Sequence, residues 1–179
     1  PPFIRLVRLR QHRGRYSLQA WALEPLPLSA MHNGWIAEPE QVGAALLRAV
    51  QRSARRAGRV MVALPGGLLI EKLVSMPGEL NDEAIAERLP CEVAQFIPFA
   101  LEDAALDFQV IDLDPEDSHR QRVAVAACHL ALLEALDASL EFAGMQASVV
   151  EPDNHALHRA LQVDDALGGL LLQVEGEAL

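Results

Sequence analysis

The sequence lacks the features that mark membrane, secreted or disulfide-bonded proteins. Its longest apolar runs, such as residues 167–172, are far shorter than the roughly 20 residues of a membrane-spanning helix. No signal-peptide pattern opens the chain. The only two cysteines, Cys91 and Cys128, are too few and too far apart for a disulfide framework or a zinc motif. We therefore expect both to be reduced thiols in the core of a cytoplasmic protein.

The usual nucleotide and nucleophile motifs are also missing, because the chain contains no GxxxxGK[ST], GxGxxG or GxSxG pattern. Pro65-Gly66-Gly67 lacks the Lys-Ser/Thr ending of a phosphate loop and precedes a predicted strand, so we interpret it as a turn. Paired acids such as Glu102-Asp103 fall in predicted loops without an apolar pocket. The sequence thus predicts no catalytic residue and no bound cofactor.

One group of side chains could hold a metal ion. His155 and His158 are three positions apart on a predicted helix, close to Asp153, and two histidines with a carboxylate can bind zinc where they converge. Histidines at this spacing near a helix start are more often partly exposed packing residues. We favour packing and predict no metal site.

What the sequence does contain is typical of a globular protein. Its 179 residues are 51% apolar and 22% charged, enough for one domain or two tightly joined subdomains.

Charge is distributed unevenly along the chain. Residues 1–60 carry ten arginines and three acids, a charge of +7, whereas residues 61–179 carry five basic and 22 acidic residues, a charge of −17. The basic residues 1–60 could bind an acidic partner or an anionic membrane, although a solvated arginine-rich face is the simpler interpretation. The acidic majority argues against nucleic acid.

Periodicity and turn residues predict a mixed order of strands and helices. Two strands, 3–10 and 16–24, form a hairpin around Gly14, and an Asn-Gly turn leads to a short extended segment. Helices are predicted from about Pro39, from Asn81 as N-cap and over 130–143, where Gly144 is the C-terminal cap. Pro90 lies inside the second helix and predicts a kink or break near residues 86–89. Further strands are predicted at 60–64, 68–76, 106–113, 122–128, 146–150 and 169–174, with a helix at 152–161. The strands at 60–64 and 169–174 are expected to be buried. This order indicates an α/β or α+β fold with a mixed sheet.

Four phrases, VMVALPGG, EKLVSMPGELNDE, EVAQFIPFALEDAALDFQVID and LEFAGMQASVVEPDNHAL, resemble the type IV pilus assembly protein PilM family. The resemblance spans nearly the whole chain, and its most specific part is residues 95–110. It implies an actin-like fold related to that of the cell-division protein FtsA. Residues 1–66 and 130–179 would form an RNase H-like scaffold, and residues 67–129 an inserted β-α-β-β subdomain. The chain would then be the N-terminal half of the full actin-like fold, or a reduced form of it.

The resemblance also implies a function. PilM-like proteins are cytoplasmic scaffolds of the pilus machine that bind the cytoplasmic tail of the inner-membrane protein PilN in a groove, and the motor ATPase is a second candidate partner. Association with the inner membrane would be peripheral, through partners. Residues near the matching segments that could line the groove are Met76, Pro77, Phe96, Ile97 and Phe99.

Two alternatives stay open on sequence alone. An actin-like ATP-binding protein would need an Asp-Ile-Gly-Ser-type loop before Phe3 and an Asp-x-Gly loop near residues 172–176, and neither is present. ATP and magnesium would therefore bind only a longer form. The cytoplasmic domain of the type II secretion protein GspL is a second alternative, which a transmembrane helix after Leu179 would favour.

Within the predicted insertion, we expect Phe96 and Phe99 to be substantially buried and Pro98 to end the helix.

Overall fold

The structure of the chain, a computed structural model, describes residues 2–53 and 58–161. They contain nine strands, numbered β1 to β9, four α-helices, numbered α1 to α4, and three short 3-10 turns. They divide into two compact units: unit 1 contains residues 2–53, 58–64 and 134–161, and unit 2 contains residues 65–133. The strand predicted at 169–174 lies outside the described residues.

Unit 1 begins with the predicted long hairpin, in which β1 (Phe3–His12) pairs antiparallel with β2 (Arg15–Pro25). The two turn residues have positive φ angles, 48° at Arg13 and 76° at Gly14. This is the backbone conformation of a type I′ turn, whose twist matches that of the paired strands.

The Asn33–Gly34 turn joins two short strands, β3 (Met31–His32) and β4 (Trp35–Ile36). The φ angles of Asn33 and Gly34, 50° and 83°, again match a type I′ turn. The predicted turn and the short segment after it are therefore confirmed.

Helix α1 (Pro39–Arg52) starts at the predicted proline, whose missing N–H is harmless in the first helical turn. A small core forms around its inner face and contains buried Leu26, Ala30, Val42 and Ala45, with partly buried Ile4, Met31, Ile36 and Leu46 packed against it. The hairpin thus buries only the side that faces this core.

A buried carboxylate ties β2 to α1. Glu24 is 3% exposed, and its Oε1 accepts a 2.5 Å hydrogen bond from Arg48 Nε, while its Oε2 lies 3.0 Å from Arg52 Nη1. A buried charge is tolerated only when it is paired in this way. The two arginines are one helical turn apart, so both reach the same carboxylate.

The rest of unit 1 combines a parallel strand pair with helices. β5 (Arg59–Leu64) pairs in parallel with β9 (Gln146–Pro152), α3 (Leu130–Phe142) leads into β9, and α4 (Asp153–Leu161) follows it. The prediction that β5 is buried throughout is wrong, because only Leu64 is fully buried and Met61 is 62% exposed. One side of β5 lacks cover among the described residues.

Helix α3 ends as the sequence predicts. Gly144 has a φ of 71°, its N–H donates to Glu141 O at 2.9 Å, and the N–H of Met145 donates to Leu140 O at 2.9 Å. This pair of bonds is the Schellman motif, which satisfies carbonyl groups at a helix end.

Unit 2 is a three-stranded antiparallel sheet with one helix. β6 (Ile70–Pro77) and β7 (Ala104–Leu113) both pair with the central β8 (Arg120–His129). Helix α2 (Asp82–Val93) is capped by Asn81, whose Oδ1 accepts from the Ala84 N–H at 2.9 Å. Its inner face and one face of the sheet form the core: Met76, Ile85, Leu89, Val93, Val123, Val125 and Ala127. The predicted strands, helix and cap of this region are confirmed.

Two predictions about α2 are wrong. Cys91 is exposed, whereas Cys128 is buried, because Cys91 falls between the inward-facing Leu89 and Val93 and therefore points to the opposite side of the helix. The helix also continues through Pro90 without the expected break.

Candidate partner-binding site

The five groove residues proposed from sequence all lie in unit 2, but in different surroundings. Met76 is 2% exposed and belongs to the core between the sheet and α2. Pro77, Phe96, Ile97 and Phe99 are half-buried. Met76 thus supports the site from inside, and the other four leave part of their apolar surface accessible.

Phe96 links the segment after α2 to the edge of the sheet. Its ring packs against the core of unit 2, and Lys72 Nζ on β6 lies 4.5 Å from the ring centroid. A cation over an aromatic face is stabilised by the ring quadrupole, by about 0.5–1 kcal/mol at an exposed site. Phe96 therefore lies beside β6.

The segment that follows α2 is a turn in which one carbonyl group accepts two hydrogen bonds. Val93 O accepts hydrogen bonds from the N–H of Phe96 at 3.0 Å and of Ile97 at 3.1 Å, and the helix ends at Val93. Pro98 therefore does not end the helix as predicted, because the helix has already stopped five residues earlier.

Phe99 completes the apolar segment on the other side of the proline. Its ring lies 5.3 Å from the His129 ring, centroid to centroid, at an angle of 50°, within the range of favourable tilted aromatic pairs. Phe96 and Phe99 are both partly buried and neither is exposed, which agrees with the prediction that they are substantially buried. A minor part of each side chain stays accessible.

Strand β6 adds a backbone component to this surface. In the order β6-β8-β7, β6 is bordered by a strand on one side only within the described part of the chain. Edge strands present N–H and C=O groups that an incoming extended peptide can pair with. Apolar side chains and a strand edge thus occur together beside Lys72.

The far end of β6 is fixed by a polar network. Ser75 Oγ donates to Asp114 Oδ2 at 2.8 Å and accepts from Arg120 Nε at 2.8 Å. The N–H of Glu116, the Ser75 hydroxyl and nearby arginines lower the pKa of the Asp114 carboxyl. This network joins the β7–β8 loop to β6.

The described residues hold no group of three or more His, Cys, Asp or Glu side chains arranged to bind a metal ion. His155, His158 and Asp153 all lie on α4. In the ranges 2–53 and 58–161 no helix is long and apolar enough to cross a membrane.

Solved structures share this architecture. The chain matches a PilM-PilN type IV pilus biogenesis complex with a TM-score of 0.78 and 23% identity, over 89% of this chain and 47% of that chain. It also matches the cytoplasmic domain of EpsL, an inner-membrane component of the type II secretion system of Vibrio cholerae, with a TM-score of 0.51 and 21% identity, over 81% of this chain and 50% of that one. The chain thus spans about half the length of these proteins.

These similarities define the class: a mixed α/β protein with an actin-like fold. The family follows from the sequence, since the family model described as type IV pilus assembly protein PilM matches residues 2–169. The chain belongs to this family.

Two contacts at the site join residues that are far apart in the sequence, and neither was predicted. The contact between Lys72 and Phe96 joins residues 24 positions apart, and the Ser75–Asp114 hydrogen bond joins residues 39 positions apart. A signal existed for the first pair, because Lys72 shares a face of β6 with Ile70 and Val74, which pack against the core, so alternation along the strand directs its side chain towards the residues of that core.

Proposed function

We propose that this chain is a non-enzymatic binding module of the type IV pilus assembly machinery. It docks the cytoplasmic tail of a PilN-like inner-membrane protein on unit 2, along the edge of β6 beside Phe96. The observation that carries the proposal is the half-buried apolar segment next to an edge strand, in a chain of the PilM family whose fold matches a PilM-PilN complex.

Docking at this edge needs only the groups described above. An extended tail adds to β6 through main-chain hydrogen bonds, and its alternate side chains cover Phe96 and Ile97. Pro77 and Phe99 border the same surface, while Met76 contributes from the core. No catalytic group is required, which suits a module that holds a partner.

The position of the protein in the cell follows from this partner. We propose a cytoplasmic protein held at the inner membrane by the tail that it binds. The motor ATPase remains an expectation from family resemblance, with no described surface that argues for it.

Titration of the protein with a synthetic PilN tail, followed by calorimetry, tests the proposal. We expect binding with a measurable heat, and absence of binding at high micromolar concentration would contradict the proposal. A tail with the same composition in scrambled order is the control peptide.

The variant Phe96→Ala separates a docking role from a structural one. Complete burial would make this substitution cost about 3–5 kcal/mol. Because the ring is half-buried, we expect a loss of unfolding free energy of about 2 kcal/mol, including the contact with Lys72. We also expect a tail affinity at least about tenfold weaker, which corresponds to about 1.4 kcal/mol.

Phe108→Ala is the matched control. Phe108 also packs, half-buried, against the core of unit 2, but it lies on β7, at the opposite side of the sheet. We expect a similar loss of stability in urea unfolding and unchanged tail affinity. Equal losses of affinity in both variants would assign the effect to destabilisation of unit 2 and would contradict docking at β6.

A further inference from the structure

Strand β7 is an exposed edge of the sheet in unit 2. In the order β6-β8-β7, it is bordered by a strand on one side only within residues 2–53 and 58–161. It is ten residues long, and near its end the apolar side chains of Val110, Ile111 and Leu113 are 37%, 49% and 54% exposed. A long edge strand with exposed apolar side chains is a template for pairing with another chain. The features of β7 that oppose such pairing lie in its backbone hydrogen bonds.

The strand register shows which N–H groups of β7 point to the free edge. The N–H of Asp114 donates to Arg120 O at 2.8 Å, so Arg120 directs its carbonyl group towards the β7 side of β8. Backbone groups of alternate residues in an antiparallel strand point to the same side, so those of Arg122, Ala124 and Ala126 also face β7. The residues of β7 that lie opposite the other residues of β8 therefore direct their N–H groups outward, and from position 106 onwards these are Leu106, Phe108, Val110 and Leu113.

Two of these outward N–H groups are occupied by the carboxylate of the preceding residue. Asp107 Oδ1 accepts a hydrogen bond from the Phe108 N–H at 2.9 Å, and Asp112 Oδ1 accepts one from the Leu113 N–H at 2.7 Å. A charged acceptor makes a hydrogen bond roughly twice as strong as a neutral one. A strand that added to β7 would have to displace both carboxylates.

A bulge disturbs the same edge between the two aspartates. The register of β7 against β8 shifts between Val110 and Asp112, so the outward N–H groups of Val110 and Leu113 are three residues apart. An added antiparallel strand pairs with outward groups at every second residue, and a bulge interrupts that repeat. On the opposite side of the sheet, β6 pairs with β8 in one continuous register from Ile70 to Pro77. The two edges of this sheet thus differ in what they offer to an extended chain.

We propose that Asp107 and Asp112 close the β7 edge to strand addition, so that an extended tail is directed to β6. Aspartate is among the residues least favoured within strands, and here each of the two accepts a hydrogen bond from an outward N–H. The direction of a tail to β6 rests on the proposed function. The closure of β7 needs no partner and is tested without one.

Amide hydrogen exchange, followed by NMR in the absence of a partner, tests the two hydrogen bonds one at a time. We expect Asp107→Ala to raise the exchange rate of the Phe108 N–H at least about tenfold, after correction for the intrinsic rate of each sequence, and to leave that of Leu113 unchanged. Asp112→Ala should have the reverse effect. Unchanged rates at both positions would overturn the proposal.

Sedimentation velocity tests whether these bonds keep β7 from pairing. We expect the alanine pair, Asp107→Ala with Asp112→Ala, to self-associate more than the wild type at the same concentration, because its outward N–H groups are available to a second copy. The asparagine pair, Asp107→Asn with Asp112→Asn, loses the same charge but keeps both acceptor oxygens, and it should sediment like the wild type. Equal association of the two pairs would assign the effect to lost charge, and no increase in the alanine pair would assign closure to the bulge. Either result would overturn the proposal.

Calorimetric titration with the synthetic PilN tail connects the closed edge to docking. We expect one tail for each wild-type chain, and a second, weaker site in the alanine pair that the asparagine pair lacks. Two tails for each wild-type chain, or a single tail for each chain of the alanine pair, would overturn the proposal. Failure of the wild type to bind any tail would contradict the proposed function alone, because the exchange and sedimentation measurements decide the closure of β7 without a tail.

Discussion

Gly43 is the position at which α1 approaches α3, and Gly43→Ala is the sharpest test of the packing in unit 1. A Cβ atom at Gly43 would lie 2.6 Å from Phe142 Cβ and 2.8 Å from the backbone oxygen of Ser139. Contacts below 3.0 Å require something to move. Rotation of the half-exposed Phe142 side chain can move its Cγ away, but Phe142 Cβ and the Ser139 oxygen are both fixed to the backbone of α3.

Two opposing effects determine how much Gly43→Ala changes the free energy of unfolding. Alanine favours the helical state by about 1 kcal/mol relative to glycine in a helix interior. Overpacking of a close contact costs about 1–3 kcal/mol, and more when backbone must shift. Because the Ser139 oxygen cannot move without α3, we expect the cost of overpacking to exceed the gain in helix propensity. The free energy of unfolding should therefore fall by about 1–2 kcal/mol.

Urea unfolding monitored by circular dichroism measures this change. Phe142→Ala removes the 2.8 Å contact with Phe142 Cγ but keeps the 2.6 Å contact with Cβ, so adding Gly43→Ala to it should cost only slightly less than in the wild-type protein. Ser139 keeps its backbone contact in that background, so the cost should not vanish. Unchanged or increased stability of Gly43→Ala would refute the close approach of α1 and α3.

Three further predictions concern charged and reactive groups. Replacing both Arg48 and Arg52 with alanine leaves the Glu24 carboxylate buried and unpaired, so the free energy of unfolding in urea should fall by about 3–5 kcal/mol. Glu24→Gln should lower it clearly less. Equal losses would contradict a buried charge at Glu24. The pKa of Asp114 is lowered, chiefly by the N–H of Glu116 and then by Ser75, so its contribution to stability is present above the unfolded pKa of about 3.9 and is lost as pH falls through the lower folded pKa. The stability gap between wild type and Asp114→Asn should therefore shrink between pH 7 and pH 3, and a constant gap would argue against this. Finally, a thiol reagent should modify exposed Cys91 quickly and Cys128 only on unfolding, because burial raises the pKa of the Cys128 thiol; equal rates would contradict this difference.

Local signals in the sequence were sufficient for most of the secondary structure. The Arg13–Gly14 and Asn33–Gly34 turns, the Asn81 cap and the Gly144 cap each depend on the chemistry of one or two residues. Such features do not require knowledge of the tertiary fold. They explain why the helices and strands of the described residues were predicted nearly to their ends.

The degree of side-chain burial was much harder to predict, and the errors share a cause. Met61 and Cys91 were both expected in the core, yet both are exposed. Whether an apolar residue is buried depends on which element lies opposite it, and the local pattern does not contain that information. For the same reason the resemblance suggested Met76 as a groove residue, whereas the structure places it in the core of unit 2.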